Sequence, residues 1–381
     1  MDRREALRGL AAFVAGSPLL KGQRDPFRPH PRVPGIAEMT TTFDFEAVAF
    51  EKLDRATYNY TAHGTAGEWT VKRNRDVFGW VDLIPGPEAE VVDTATEVLG
   101  TEMQFPLMVA PTAAHLALHP KGEHAMYAGA TAAERTPMIL SHVTTTPFAE
   151  VAANEGGPLW VQLYPREELE ANRPRLDQAQ QAGAQAVVVT VDQQAPYFER
   201  MLHDRHLSNA SPRRRRPSQK PNPYRMNQGR LWYEWKLLDE LHKMIHTPML
   251  VKGVLTAEDA QRSIDHGADG IVVSNHGGRA LDYSPSTLEV LPEIAETVAG
   301  RVPIIVDGGF RRGADVLKGL ALGASAVCLG RVPRWGLAAY GADGVEKVLR
   351  IVQAELRLAM AEVGCPDLAS IKPSTVRTDF P

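Results

Sequence analysis

The stretch GIVVSNHGGR, residues 270–279, decides how the rest of the chain is interpreted. Its first four residues are apolar and mostly β-branched, which predicts a short buried strand, and the glycine pair marks where the chain turns out of that strand. His276 and Arg279 therefore follow the carboxyl end of a strand. Histidine accepts a proton near neutral pH, and arginine holds a carboxylate through two parallel hydrogen bonds. Together they suit chemistry at the carbon atom beside a carboxylate.

Similar apolar runs recur on both sides of this stretch, and Ala/Glu/Leu-rich segments of helical character separate most of them. Alternating strands and helices indicate a parallel sheet, which is either open and doubly wound or closed into a barrel. Eight repeats, and no Gly-x-Gly-x-x-Gly after the first run, favour the α/β class with a (β/α)8 TIM barrel. The predicted strands span residues 105–110, 138–142, 159–164, 186–192, 249–254, 270–275, 303–307 and 326–330.

Polar or charged residues follow all eight runs, and in such barrels the functional residues lie at the carboxyl ends of the strands. A lone histidine is more often a packed core residue, but His276 stands three residues before Arg279 at a strand end, which favours a functional role. Lys252 lies inside a buried strand pattern and needs an anionic partner. Arg311 and Arg312 are adjacent, so only one of them is expected to point inward.

Composition excludes several classes of protein. The chain has 381 residues, of which 44% are hydrophobic, and this is enough for a large core. The formal net charge of −4 gives no indication of nucleic-acid binding. Cys328 and Cys365 are the only cysteines, and Cys328 lies in an apolar run. We therefore expect Cys328 to be buried, with neither a disulfide framework nor a metal site.

The N-terminal segment has a charged start followed by a moderately apolar stretch. Arg3 and Arg4 precede residues 9–16, which are too few to span a bilayer. The pattern resembles a twin-arginine signal peptide, and the alternative is an amphipathic or disordered cytoplasmic leader. Residues 23–34 are rich in Pro and Arg. We interpret residues 1–34 as leader and linker and residues 35–381 as one domain, periplasmic or exported if the signal functions and cytoplasmic otherwise.

A long insertion follows the predicted fourth strand, between residues 192 and 249. Its centre, residues 212–223, is basic and Pro-rich, which predicts a surface loop over the barrel mouth. An RNA-binding patch is the alternative, but no aromatic stacking platform accompanies the arginines. No amphipathic apolar segment stands out, so stable membrane insertion is not expected.

Three segments carry a resemblance to a known family: VKGV at 251–254, SNHGGRALD at 274–282, and VDGGFRRG at 306–313 with its continuation to Gly330 and Arg331. They resemble the FMN-dependent L-2-hydroxy acid oxidases and dehydrogenases, such as glycolate oxidase, lactate oxidase and mandelate dehydrogenase, over residues 43–370. The resemblance implies a barrel with a short N-terminal helical segment and an FMN cofactor. It also implies a small 2-hydroxy acid substrate that is oxidised to a 2-oxo acid, and a homo-oligomer, tetrameric by family.

The resemblance also assigns roles to single residues. It implies that His276 is the base, that Asp192 stabilises the imidazolium and that Arg279 anchors the substrate carboxylate. Two tyrosines, Tyr60 and Tyr164, match the active-site tyrosines. Lys252 would lie beside the N1–C2 edge of the flavin, and Arg200, displaced by one position, would support substrate binding. The other implied FMN contacts are Pro111, Thr112, Ala113, Ser141, Gln162, Thr190, Ser274, Asp307, Gly309, Arg311, Gly330 and Arg331.

Two positions bear on substrate and electron acceptor. Val143 stands where glycolate oxidase has an aromatic residue, which leaves room for a substrate larger than glycolate. Ala113 is compatible with oxygen as the acceptor, so an oxidase that forms hydrogen peroxide is favoured over a dehydrogenase that uses a quinone or cytochrome. Two other interpretations stay open: a flavin enzyme of the same fold with another substrate, such as isopentenyl diphosphate, and a non-catalytic flavin-binding protein. The His276–Arg279 pair favours a 2-hydroxy carboxylate over both.

Overall fold

The computed structural model of the protein describes residues 32–153, 156–192 and 234–381. Apolar, β-branched runs form most of its strands, as their side chains favour a pleated, buried backbone. Numbered in chain order, the strands of this part of the chain are β1 (Val81–Leu83), β2 (Thr96–Val98), β3 (Thr101–Met103), β4 (Leu107–Val109), β5 (Met138–Leu140), β6 (Leu159–Leu163), β7 (Val187–Thr190), β8 (Met249–Val254), β9 (Gly270–Val273), β10 (Ile304–Val306), β11 (Ala326–Leu329) and β12 (Val376–Thr378).

Eight of these strands close into a parallel barrel in the order β10-β11-β4-β5-β6-β7-β8-β9. Neighbouring strands pair in register, for example Val188 with Leu250 and Val272 with Ile305. The predicted TIM barrel is confirmed, and every predicted run contains one of its strands. The observed strands are shorter than most of the predicted runs, because the polar residues at the carboxyl ends lie beyond the last strand pairs, where they face the barrel mouth.

Helices surround the barrel and connect successive strands. The final helical segment packs against the helices at Thr42–Lys52, Gly122–Ala132 and Gly313–Ala321, and it is broken at Tyr340 and Gly341. The α-helices of the described residues are α1 (Thr42–Lys52), α2 (Arg55–Ala62), α3 (Trp69–Asp76), α4 (Gly122–Ala132), α5 (Phe148–Ala152), α6 (Arg173–Gln181), α7 (Lys236–Met244), α8 (Ala257–Asp265), α9 (Thr287–Val298), α10 (Gly313–Ala321) and α11 (Arg331–Glu362).

The core has two layers because successive side chains of a strand point to opposite faces. In β7, Val188 points into the barrel, whereas Val187 and Val189 face the surrounding helices. Cys328 is buried inside the barrel, as expected. The β2–β3 hairpin pairs antiparallel and covers the amino ends of the barrel strands. Trp160 in β6 donates its indole N–H to the hydroxyl of Thr101 in this hairpin, at 2.9 Å. The opposite end of the barrel is therefore the open one.

The predicted N-terminal helical segment is also present and lies on the barrel mouth. Asp54 begins α2 by accepting a hydrogen bond from the Thr57 backbone N–H at 3.0 Å, which satisfies one of the free donors at the helix start. From α3, Arg73 forms an ion pair with Glu289 of α9. This ion pair joins α3 to a helix of the barrel wall.

Some predictions fall outside the described residues. They concern the leader, most of the long basic loop after the fourth barrel strand, and Arg200. Within the part of the chain that the structure describes, no helix combines the length and apolarity that crossing a membrane requires.

Candidate active site

The barrel mouth contains a cavity of about 310 Å³. Residues that follow the carboxyl ends of the barrel strands form most of its wall, and α2 and α3 supply the remainder. Four residues with predicted substrate or catalytic roles line it together: Tyr60, Tyr164, His276 and Arg279. The predicted cofactor residues that line the same cavity are Pro111, Thr112, Ala113, Ser141, Gln162, Thr190, Lys252, Asp307, Gly309, Arg311, Gly330 and Arg331.

A buried carboxylate lies behind His276. The Nδ1 atom of His276 is 2.7 Å from Oδ1 of Asp192, whose side chain is 8% exposed. Burial acts to raise the pKa of Asp192, but His276 and Lys252 outweigh it, so that this pKa lies below its ordinary value. An ionised carboxylate accepts a hydrogen bond from Nδ1–H, which fixes the tautomer whose Nε2 carries a lone pair. Nε2 lies 3.4 Å from the Tyr164 hydroxyl. The pair is therefore arranged to accept a proton at Nε2.

The backbone at His276 is strained. Its φ angle is +58°, in the left-handed region that a side chain with a Cβ rarely adopts. The hydroxyl of Ser274 accepts a hydrogen bond from the His276 N–H at 3.1 Å, which helps to hold this conformation. Gly278 follows at φ +75°, and a Cβ there would lie 2.6 Å from the Val71 side chain. The tight turn aims the imidazole into the cavity, as strained residues at functional sites often do.

Lys252 finds the anionic partner that its buried position requires. Its Nζ lies 3.0 Å from Oδ2 of Asp307 and donates to the Ser274 hydroxyl at 2.5 Å. Ser274 donates in turn to Oδ1 of Asp307 at 2.7 Å. Burial acts to lower the pKa of Lys252, but Asp307 and Asp192 raise it above its ordinary value. The ammonium group is therefore charged and fixed at the cavity wall, with Ser274 lying behind it.

Two polar atoms of the cavity wall have no hydrogen-bond partner within the described residues. They are Nε2 of Gln162 and Oγ1 of Thr190, and both are buried. Buried polar atoms are nearly always paired in folded proteins, so these two call for a bound group with polar edges. The flavin ring has such an edge, with carbonyl oxygens and ring nitrogens. The residues present therefore fit FMN at this position.

Guanidinium groups form another part of the cavity wall and hold the carboxyl end of α2. Arg279 donates to the carbonyl oxygens of Tyr60 at 2.7 Å and His63 at 2.9 Å. Arg331 donates to the carbonyls of Thr61 at 2.9 Å and His63 at 3.2 Å. Burial and the charges of Arg279 and Arg311 lower the pKa of Arg331 to about 9. These contacts stabilise the carbonyls that a helix leaves unpaired at its C-terminus, and they concentrate positive charge where an anion would bind.

The two adjacent arginines after β10 point in different directions, as expected. Arg311 points inward and forms an ion pair with Glu46 at 3.1 Å, whereas Arg312 is more exposed and pairs with Glu355. Gly309 allows the backbone to approach α3 closely, because a Cβ there would lie 1.9 Å from the carbonyl oxygen of Asn74. This wall therefore combines a guanidinium with a tightly packed turn, a geometry suited to a phosphate group.

Three features of the site were not predicted from the sequence. Arg334 lines the cavity although it lies in an apolar run. Its position three residues after Arg331 on α11 was the one sequence feature that could have indicated this. The reciprocal amide pair of Asn74 and Asn275, with N–O distances of 2.9 and 2.8 Å, joins α3 to the end of β9. The third feature is Thr61, whose role depends on contacts across 273 residues of sequence. No local sequence pattern predicts contacts between residues so far apart.

The barrel mouth brings together a His–Asp pair, a buried lysine and several guanidiniums. These are the groups that proton transfer on an anionic ligand requires. Residues 49–378 match the family model of the FMN-dependent dehydrogenases, and the chain belongs to this family. A peroxisomal (S)-2-hydroxyacid oxidase of Arabidopsis thaliana is 37% identical over 351 residues, which cover 88% of this chain and 96% of the relative.

Solved structures give the same family. A mandelate oxidase with bound (S)-2-phenylpropionate matches with a TM-score of 0.79 and 32% identity, over 90% of this chain and 99% of that one. A mutant of the active chimera of (S)-mandelate dehydrogenase matches with a TM-score of 0.80 and 35% identity, over 89% of this chain and 99% of that one. Oxidases and a dehydrogenase thus share this architecture.

Proposed function

We propose that the protein oxidises an (S)-2-hydroxy acid to a 2-oxo acid with FMN as cofactor and O2 as electron acceptor. The observation that carries the proposal is that His276, held by Asp192 at 2.7 Å, lines the same cavity as Arg279. A base and a carboxylate anchor at one cavity wall fit a substrate whose reacting carbon is bonded to a carboxylate.

In this proposal the substrate carboxylate binds Arg279, whose planar guanidinium matches it through two parallel hydrogen bonds. Tyr60 lies beside this anchor, since the Arg279 guanidinium carbon is 4.9 Å from the centre of its ring. Tyr164 lies on the other side of His276, with its hydroxyl 3.4 Å from Nε2. The two tyrosines would orient the substrate, and His276 would contact the groups at its second carbon.

The proposed chemistry removes two protons and two electrons from the CH–OH group of the substrate. Nε2 of His276 accepts one proton, and the carboxylate of Asp192 stabilises the imidazolium that results. FMN, when bound, would supply the acceptor for the two electrons and the second proton, and both electrons and both protons would finally pass to O2 as H2O2. Removal of water from the buried pair strengthens its electrostatic interaction during proton transfer.

The residues that would hold FMN fall into two groups. Gln162 and Thr190 present the unpaired polar atoms that fit the polar edge of the ring. Lys252 would stabilise negative charge at this edge, with Ser274 and Asp307 fixing its position. The remaining wall residues near the ring would be Pro111, Thr112, Ala113 and Ser141, and those near the ribityl chain and phosphate would be Asp307, Gly309, Arg311, Gly330 and Arg331.

Two features support a substrate larger than glycolate and oxygen as the acceptor. Val143 lines the cavity and is 54% exposed, so the wall at this point is low and apolar. Curated relatives that are 37–38% identical are named as oxidases. Ala113 at the cavity wall is compatible with oxygen as the electron acceptor.

Residues 35–381 would form the catalytic domain, and residues 1–34 would form a leader. The mass of the mature protein would show whether this leader is cleaved.

The decisive experiment adds a panel of L-2-hydroxy acids, from glycolate to mandelate, to the purified yellow protein without oxygen. Bleaching of the flavin band is the expected result, and no bleaching by any member would contradict the proposed substrate class. The reduced protein is then mixed with air-saturated buffer. Re-oxidation at least as fast as turnover is expected of an oxidase. Re-oxidation much slower than turnover with an artificial acceptor would assign the protein to the dehydrogenases instead.

A further inference from the structure

Arg334 is a buried cation at the proposed flavin site to which the chemistry above assigns no role. It lies one turn after Arg331 on α11, so that both side chains project from the same face of this helix. The residue is only 4% exposed, and it lines the cavity at the barrel mouth. A fully buried guanidinium is costly unless it is paired or serves a bound anion.

The contacts of Arg334 join α2 to the loop after β4. Its Nε and Nη2 donate to the Thr61 hydroxyl at 3.1 and 2.8 Å, and its Nη1 donates to the carbonyl oxygen of Ala113. The guanidinium carbon lies 5.6 Å from the centre of the Tyr60 ring. All of these partners are electrically neutral, so the contacts engage three of the five N–H groups and bring no formal negative charge to the guanidinium.

Two other cations of the cavity are compensated at short range, whereas Arg279 and Arg331 are the ones to which the proposed function assigns anionic groups of the substrate and the cofactor. Asp307 accompanies Lys252 at 3.0 Å, and Glu46 accompanies Arg311 at 3.1 Å. The buried carboxylate of Glu123 attracts Arg334 without a direct ion pair between them, and its oxygens accept hydrogen bonds from Thr145 and Thr146. Burial, with the charge of Arg279, lowers the pKa of Arg334 to about 10, so the group is still protonated at neutral pH.

We propose that Arg334 raises the reduction potential of the bound flavin by stabilising the negative charge that the ring gains on reduction. A cation that lines the cavity without a short-range anion among the described residues attracts such a charge more than a cation already neutralised by a carboxylate. Arg334 would also position Tyr60 through its contacts with Thr61. This inference rests on the proposed binding of FMN in the cavity, and it adds a residue that sets the driving force of the reaction.

Three variants separate charge from geometry. Arg334→Met removes the charge and keeps an unbranched side chain, and Arg334→Gln also removes the charge but keeps hydrogen-bonding capacity. Arg334→Lys keeps the charge and loses the planar fork. As a matched control, Arg350→Met removes an exposed arginine of α11 that pairs with Glu134 and Glu346.

The measurements are the dissociation constant of sulfite from the FMN-loaded protein and the two-electron reduction potential of its flavin. Sulfite adds reversibly to oxidised flavin and leaves the ring negatively charged, so it reports the same electrostatic effect without any substrate. We expect the sulfite dissociation constant of Arg334→Met and Arg334→Gln to rise about tenfold, which corresponds to a potential about 30 mV lower. Arg334→Lys is expected to recover most of this change, and Arg350→Met to behave as wild type.

Each outcome decides the proposal. Wild-type sulfite affinity in either neutral variant would mean that Arg334 has only a structural role, and it would overturn the proposal. A loss in Arg334→Lys as large as in the neutral variants would mean that geometry matters and charge does not. If Arg334→Met fails to hold FMN, Arg334→Gln and Arg334→Lys still provide the comparison. A wild-type reduction potential in Arg334→Gln would then overturn the proposal. Failure of the wild-type protein to bind FMN would instead refute the proposed function itself.

Discussion

Replacing Asp192 with Asn tests the proposed base most sharply. Asn has nearly the same shape as Asp, so it can keep the contact with Nδ1 of His276 that is 2.7 Å long in the structure. It removes the negative charge that stabilises the imidazolium. It can also present its N–H₂ group to Nδ1, which would favour the tautomer with its proton on Nε2 and block proton acceptance there.

The size of the effect follows from the geometry. Charge centres about 4 Å apart at an effective dielectric constant of about 20 attract each other by about 4 kcal/mol, which sets an upper value. A charge-assisted hydrogen bond contributes roughly 1.5–3 kcal/mol in proteins. A loss of about 2–4 kcal/mol in the transition state slows proton transfer about 30- to 1,000-fold. The environment of Asp192, with a side chain that is 8% exposed, places the expected result toward the upper end.

The assay is the rate of flavin reduction by a 2-hydroxy acid in an anaerobic stopped-flow experiment. FMN content, measured from the flavin absorbance, should match that of the wild-type protein. A matched control is available, because Asp239 pairs with His266 at 2.9 Å on the protein surface, and Asp239→Asn should leave the rate unchanged. A reduction rate of Asp192→Asn within about fivefold of wild type, with FMN bound, would refute the assignment of His276 and Asp192 as a catalytic pair.

Three further substitutions test other parts of the site. His276→Asn should retain FMN but lower the rate of flavin reduction by about 10²–10⁴-fold or more, as expected when a general base is lost; a rate near wild type would exclude His276 as the base. Arg279→Lys keeps the charge without the planar fork, so the substrate KM should rise with little change in FMN affinity, and an equal loss of FMN affinity would place Arg279 in the cofactor site. Gly309→Ala puts a Cβ 1.9 Å from the carbonyl oxygen of Asn74, so its thermal midpoint should fall by several degrees; an unchanged midpoint would mean that α3 moves freely.

The barrel could be predicted from the sequence because its signals are local. Each of the eight barrel strands lies within an apolar run that the sequence displays, and parallel strands bring their carboxyl ends together. This convergence explains why Lys252, His276 and Asp307, which are far apart in sequence, could be assigned to one site. The polar residues after each strand were visible for the same reason.

The parts that could not be predicted depend on contacts between distant segments. No sequence pattern says that Arg334 bonds to Thr61, because the position of α2 over the mouth follows from packing of the complete molecule. The left-handed backbone of His276 could not be predicted either, because even histidine, which is enriched among residues with a positive φ, adopts it only in a small fraction of cases. Only the two glycines that follow it indicated a turn.

The capture of the α2 carbonyls by arginines has a consequence for protein synthesis. Thr61, the neighbour of Tyr60, is synthesised 270 residues before Arg331, which donates to its carbonyl oxygen. A nascent chain that stops before α11 therefore lacks two of the three guanidiniums that fix α2 on the mouth. The placement of Tyr60 at the cavity is thereby coupled to the synthesis of α11, and we expect a chain truncated before α11 to lack these anchors.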